Sequence, residues 1–254
     1  MWLTVGGYCT YSACVRLVNV NAITNGVWRA MRYRKIPDET VRRLPIYLRG
    51  LLLSADRGRE HLSSQALADF VGVQPGQIRK DFSYFGDFGI RGVGYPIEKL
   101  AREIKRILRL DVIRKAALVG VGDLGTALLA YPGFCGYGLG IVAAFDIDAD
   151  KVGKVVNGVR IEDSSQIDTL SERGVCLAIV AVPRTAAQST IDKLAEVGVR
   201  GILNFAPCKV VAPRRVKVIS LDIAMELARL PYYMPTGGAD EHPMASRGPR
   251  HRVS

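Results

Sequence analysis

The sequence predicts an α/β protein of two folded blocks, a helical one followed by a parallel sheet. Three observations lead there. Apolar residues recur at helical spacing from Asp38 to about Leu110, then change to short, β-rich runs from Lys115 onward. A glycine-rich turn follows the changeover. The charge divides at the same place: residues 31–115 hold 18 Lys and Arg against 10 Asp and Glu, whereas residues 116–234 hold 12 of each. A chain of 254 residues, 48% hydrophobic, is long enough to bury a core in each block.

In the first block, "DETVRRLPIYLRGLLLSAD" carries apolar residues at helical spacing, with Pro45 marking a start or a kink. "SSQALADFVG" opens on Ser63 or Ser64 as N-cap and closes on Gly72. "QPGQIRKDFSYFG" follows, with Pro75 suited to the first helical turn and Gly86 past the end. Two short helices joined by a tight turn form a helix-turn-helix pattern. "DFGIRGVGYP" is too glycine-rich for a helix and reads as a hairpin or wing, with Arg91 near its tip. "PIEKLAREIKRILRL" is a helix leading out of the block. The net charge of +11 is concentrated in this block, which suits a polyanionic partner through counterion release. A solvated basic surface is the plain alternative.

In the second block, "KAALVGVG", "GIVAAFDID", "GVCLAIVAVP" and "RGILNFAP" alternate with helical segments such as "RTAAQSTIDKLAEVG". Near-continuous apolar strands alternating with helices mean a parallel sheet covered on both faces. Gly120, Gly122 and Gly125 give G-x-G-x-x-G directly after a strand and at the opening of a helix, the context of a Rossmann dinucleotide-binding turn. The candidate cofactor residues are these glycines with Val121, Asp123 and Leu124 between them, and Val182 and Pro183 of "VAVPRTAAQ". Asp146 lies about twenty residues past the last glycine, where a carboxylate accepts from a ribose diol and repels a 2′-phosphate. Asp148 is the second candidate. The expected cofactor is NADH or NAD.

No histidine lies between Lys115 and Met234; His61 belongs to the basic block, and His242 and His251 to the tail. Lys151 and Lys154 lie on a turn and read as solvated. Without a placed proton donor, hydride transfer to a carbonyl substrate is poorly supported, and no catalytic residue is assigned. The five cysteines have no spacing that suits zinc, and no metal is expected. No apolar stretch approaches the ~20 residues of a membrane span, and no signal peptide is visible, so the expected location is the cytoplasm.

The runs "RRLPIYLRGL", "VQPGQIRKDFSYFGDFGIRGVGY", "VGVGDLGTALLAYPGF", "FDIDADKVG", "VAVPRTAAQ", "GILNFAP" and "LDIAMELARLPYYM" span residues 42–234. In them the chain strongly resembles the Rex family of redox-sensing transcriptional repressors. The resemblance implies a winged-helix, Rossmann-domain homodimer that binds an inverted-repeat operator in double-stranded DNA when NADH is scarce. NADH binding then closes the dimer and releases the operator. It also implies a C-terminal helix exchanged between subunits, and a switching network of Arg49, Tyr131 and Asp222 across the interface. The same residues admit a plain reading, with Arg49 solvated, Tyr131 in the core and Asp222 an N-cap. DNA contacts are expected from Gln77, Arg79, Lys80, Ser83 and Tyr84 of the second short helix, and from Arg91 of the wing. The expected division places an extension or mis-assigned start in residues 1–35 and the winged-helix domain in 36–112. The Rossmann domain then takes 113–220, a dimerisation helix 221–234 and a disordered tail 235–254. Two other readings stay open: an NAD-dependent dehydrogenase with a basic N-terminal domain, and a coenzyme A-binding protein.

Overall fold

A computed structural model describes residues 36–234. The expectations for residues 1–35 and 235–254 lie outside the described residues. The first helix, α1 (Asp38–Asp56), follows Pro37 and places Asp38 and Glu39 in its first turn, where acidic side chains suit the positive end of the helix dipole. Pro45 lies inside α1, so it does not start the helix. Its ring sits on the exposed face, while Leu44, Tyr47, Leu48 and Leu51 are fully buried on the other.

Strand β1 (His61–Leu62) precedes α2 (Ser64–Val71). Ser63 caps α2, its Oγ accepting from the Ala66 amide at 3.0 Å, and Gly72 ends the helix in a left-handed conformation. Helix α3 (Pro75–Ser83) begins on Pro75, whose missing N–H costs nothing in a first turn. The chain then turns through a short wing, closed by a bridge between Ile90 and Gly94. Strand β2 (Tyr95–Pro96) pairs antiparallel with β1, and α4 (Ile97–Ile107) leads away. Gly94 is required at the base of the wing: φ is +106° there, and a Cβ would lie 2.7 Å from the Leu62 carbonyl oxygen. Phe82 at the centre of this domain packs edge-to-face on Tyr47 (5.3 Å between centroids) and Tyr95 (5.1 Å).

The second domain is a seven-stranded sheet. Its strands are β3 (Arg114–Val119), β4 (Leu139–Asp146), β5 (Val155–Val156), β6 (Val159–Asp163), β7 (Leu177–Val180), β8 (Gly201–Asn204) and β9 (Lys217–Ser220). They lie in the order β5-β6-β4-β3-β7-β8-β9, all parallel except the β5–β6 hairpin. The six parallel strands have the doubly wound Rossmann order, which reverses direction at β3. Helices α5 (Asp123–Ala130), α6 (Gly133–Gly136) and α7 (Arg184–Glu196) form part of the connections. The link from β6 to β7 runs through a 3-10 helix (Ser164–Leu170), and the link from β8 to β9 is irregular. Both departures shorten the helical alternation read from the sequence.

Residues 221–234 are not one helix. Helix α8 (Ile223–Ala228) is followed by a 3-10 turn (Leu230–Tyr233) beginning just before Pro231. Ile223, Met225, Leu227, Leu230, Tyr232, Tyr233 and Met234 are all more than half exposed.

Candidate cofactor cleft and nucleic-acid interface

A cleft of about 770 Å³ opens beside the ends of β3, β4 and β7, at the point where the strand order reverses. Open parallel sheets bind ligands at this position. Two of the three glycines meet a steric demand within the fold, and the third leaves space. Gly120 has φ +94°, and a Cβ there would lie 2.5 Å from the Ala181 carbonyl oxygen, on the turn that joins β3 to the phosphate loop. A Cβ on Gly125 would strike the Gly120 carbonyl, so a side chain there would push α5 off the strand. At Gly122 nothing lies within 4 Å of a Cβ, which leaves open room beside the α5 N-terminus. A pyrophosphate fits such a cradle, facing unpaired amides and the positive end of the dipole.

Asp146 is 8% exposed. Its Oδ2 accepts from the Val121 amide at 2.7 Å, and its Oδ1 from the Asp148 amide at 2.9 Å. Burial alone would raise its pKa, but these two amides and Lys151 hold it below the usual carboxylate range. A carboxylate offers about four lone-pair sites, so Asp146 retains acceptor capacity toward the cleft. Asp148 is more open, and its Oδ1 accepts from the Asp150 amide at 3.0 Å. The ammonium of Lys151 stands 3.4 Å from Asp146 and 3.5 Å from Asp148. It is therefore a cleft residue rather than the solvated turn lysine read from the sequence. Loss of solvent would lower its pKa, but the two carboxylates raise it. Leu124, Val182 and Pro183 line the apolar part of the cleft.

The sequence reading missed the stripe of Ala186, Ser189, Thr190 and Lys193, which forms one wall. Its spacing along α7 is the helical i, i+3, i+4, i+7 pattern, the signal by which it was findable. Asp123 opens α5 and is exposed.

On the basic domain, Arg79, Lys80 and Ser83 are exposed along α3, and Arg91 is exposed on the wing. Arg79 Nη1 donates to Ser64 Oγ at 3.0 Å, tying the two helices of the motif together. Ser83 Oγ donates to the Lys80 carbonyl at 2.7 Å. A groove of about 820 Å³ lies between α3 and the wing, with Ser64, Arg79, Ser83 and Arg91 along it. Tyr84 is half-buried at the end of α3. Gln77 is half-buried, and its Nε2 donates to the buried Asp81 carboxylate at 2.8 Å.

Arg49 is exposed on α1, and Tyr131 is exposed but stacked edge-on against Phe134 at 5.2 Å. Tyr131 is thus not a core residue. Asp222 caps α8, its Oδ1 accepting from the Ala224 and Met225 amides at 3.0 and 3.2 Å. Among the described residues of one chain, these three make no hydrogen bond or ion pair with one another.

Two family models match the chain: a putative DNA-binding protein N-terminus over residues 35–83, and a CoA binding domain over residues 111–208. Among curated proteins, the redox-sensing transcriptional repressor Rex of Lactobacillus gasseri is 43% identical over 201 residues, covering 79% of this chain and 94% of the relative. The protein of the same name from Streptomyces griseus is 40% identical over 205 residues, covering 80% and 81%. Among solved structures, RSP in complex with beta-NAD+ and operator DNA matches with a TM-score of 0.73 at 30% identity, covering 78% of this chain and 92% of that one. RSP in complex with beta-NADH matches with a TM-score of 0.71 at 28% identity, covering 78% and 94%.

Proposed function

Because the chain belongs to the Rex family of redox-sensing transcriptional repressors, we propose that its two sites form one switch, in which filling the cleft changes the grip on DNA. The protein is a repressor rather than an enzyme, and its nucleotide is NADH or NAD. One observation carries the assignment of sites: Asp146 ties the C-terminal end of β4 to the phosphate loop, while Arg79, held by Ser64, and Lys80 are exposed on a helix of the other domain. The coenzyme A reading suggested by the matched domain model fits less well. Coenzyme A carries a phosphate beside its ribose diol, and two carboxylates stand at that end of the cleft.

When bound, the cofactor supplies a pyrophosphate, a ribose diol and a redox-dependent nicotinamide ring. Gly120, Gly122 and Gly125 leave room for the pyrophosphate, with Val121, Asp123 and Leu124 shaping the loop. Asp146 and Asp148 accept from the diol, and Val182 and Pro183 cover the dinucleotide. Arg79, Lys80, Ser83 and Arg91 meet the operator, and Gln77 supports α3 from behind. Tyr84 extends that surface at the C-terminal end of α3.

The working unit is a homodimer on an inverted repeat, in the cytoplasm. The exposed apolar row from Ile223 to Met234 supports a partner subunit covering it, as an exchanged helix would require. Arg49, Tyr131 and Asp222 then act across subunits, which accounts for their separation within one chain.

If NADH lowers operator affinity by some factor, operator must lower NADH affinity by the same factor. Moving the dimer from mostly open to mostly closed takes about 5.5 kcal/mol of differential binding, shared between two clefts. The test is an NADH titration of the protein with and without saturating operator duplex, at fixed salt. Weaker NADH binding in the presence of operator is expected. Identical affinities would end the reading of the two sites as one switch.

A further inference from the structure

Helix α3 carries a charged residue whose side chain is buried in the domain. Asp81 is 0% exposed, directly after Lys80 and two residues after Arg79. Five donor contacts converge on its two oxygens. Oδ1 accepts from Thr40 Oγ1 at 3.0 Å, Arg43 Nη2 at 2.9 Å and Gln77 Nε2 at 2.8 Å. Oδ2 accepts from Arg43 Nε and from the Tyr47 hydroxyl, both at 2.6 Å. Thr40, Arg43 and Tyr47 fall on one face of α1, at i, i+3 and i+7, so the carboxylate joins two helices far apart in sequence. Burial would raise the Asp81 pKa, but the bonds from Arg43, Tyr47, Gln77 and Thr40 hold it low and the group stays charged.

We infer that Asp81 is a positioning residue, latching α3 onto α1 and so fixing the rotation of α3 about its own axis when Arg79 and Lys80 meet DNA. The inference rests on reading α3 as the helix that reads the operator.

The physical case lies in directionality. Ile78 and Phe82 anchor α3 by apolar contact, which resists separation but tolerates small rotations. A side-chain tip about 6 Å from a helix axis moves about 1 Å for a 10° turn. Bidentate contact with a base edge fails over that displacement, because hydrogen-bond distances span only about 0.5 Å. Phosphate contacts, being largely electrostatic, survive it. A buried ion pair is a poor source of stability compared with apolar packing, so a geometric role gives this costly arrangement a reason.

The full-length dimer is measured by anisotropy against two labelled duplexes. One is an inverted repeat selected from random sequence by the wild-type protein, and the other is a scrambled duplex of equal length. Asp81→Asn should weaken binding to the selected duplex about tenfold or more, the cost of a lost base contact. Binding to the scrambled duplex and to NADH should stay within about twofold, and the salt slope should not change. Tyr47→Phe and Thr40→Val each remove one donor and should cause smaller losses of the same kind. If Asp81→Asn does not fold, these two variants decide the matter. A lower thermal midpoint with the selected-to-scrambled ratio unchanged would overturn the inference and leave Asp81 as structural support. Arg79→Ala is measured alongside. No loss of selected-duplex binding in that variant would instead overturn the reading of α3 itself.

Discussion

The amide of Val121 donates to Asp146 at 2.7 Å, so the carboxylate that ends β4 is built into the phosphate loop after β3. The shape of the loop therefore depends on the side chain proposed to take the diol. Asp146→Ala should lower NADH affinity about ten- to hundredfold, the cost of losing charge-assisted hydrogen bonds. It should also lower the thermal midpoint, because the Val121 and Asp148 amides lose their acceptor. Asp148→Ala spares the loop and should mainly narrow the preference for NADH over NADPH. Fluorescence titration of both cofactors distinguishes the two variants. Equal losses for NADH and NADPH in both would place neither carboxylate at the 2′-hydroxyl.

Arg79→Ala should weaken operator binding by about 1–3 kcal/mol and relax preference at one base pair, if the guanidinium reads a guanine. If it meets only phosphate, binding should fall alike for all sequences and the salt slope should drop by about one. The Ser64 contact favours a fixed orientation, which base reading needs. Salt titrations on matched and mismatched duplexes separate the outcomes.

Gly94→Ala should destabilise the DNA-binding domain by about 1–3 kcal/mol, since alanine is strained at positive φ and its Cβ meets the Leu62 carbonyl. Gly92 also has positive φ (+78°), but nothing lies within 4 Å of a Cβ there. Gly92→Ala should then cost only the conformational penalty, about 1–2 kcal/mol. Urea denaturation gives both values, and hydroxyl-radical footprints show whether the loss of flanking protection tracks the wing that carries Arg91.

Arg49→Ala and Tyr131→Phe should reduce the coupling between NADH and operator more than either affinity alone. Asp222 needs a finer probe, because Asp222→Ala also removes a helix cap worth about 1 kcal/mol. Asp222→Asn keeps an oxygen for the Ala224 and Met225 amides and removes only the charge. Lost coupling in Asp222→Asn with an unchanged thermal midpoint would separate switching from capping. Coupling retained in all three variants would leave them as surface, ring-packing and cap residues.

Acid should weaken both domains in the same direction. Asp81 and Asp146 are each held below their ordinary pKa by hydrogen bonds that outweigh burial. A depressed folded pKa contributes stability that is complete above the unfolded value, about 3.9, and lost as pH falls through the folded one. Urea midpoints should hold near neutrality and fall below about pH 4, as these carboxylates begin to protonate in the unfolded chain. Asp81→Asn and Asp146→Asn should start lower and show a shallower acid slope.

What was legible in the sequence was mostly local. Ser63 and Gly72 bound a helix through bonds to near neighbours, and Gly125 answers a contact with Gly120 inside one strand-turn-helix unit, although Gly120 itself is also confined by Ala181. The partners of Gln77 and Lys151 were not legible, for the opposite reason. Each belongs to an exposed-looking polar run, yet faces a carboxylate whose burial comes from elements distant in sequence. Asp81 is the extreme case, since Thr40 reaches it across 41 positions. Periodicity carries no trace of such a partner. The broken C-terminal helix was partly readable, as Pro231 interrupts the run, but the exposure of its apolar side follows from tertiary placement.

The open space at Gly122 has a genetic consequence. An alanine there meets no protein atom within 4 Å, so the fold has room for a methyl group in the space proposed for the pyrophosphate. Such an allele would encode a repressor deaf to reductant, able to hold its operator whatever the nicotinamide pool. Expressed beside the normal gene, it would form mixed dimers with one blocked cleft. Homodimers with both clefts blocked would form in the same cell and keep the operator covered, so a reporter under it should stay silent in the heterozygous strain. Normal induction there would show that the altered cleft still takes the dinucleotide.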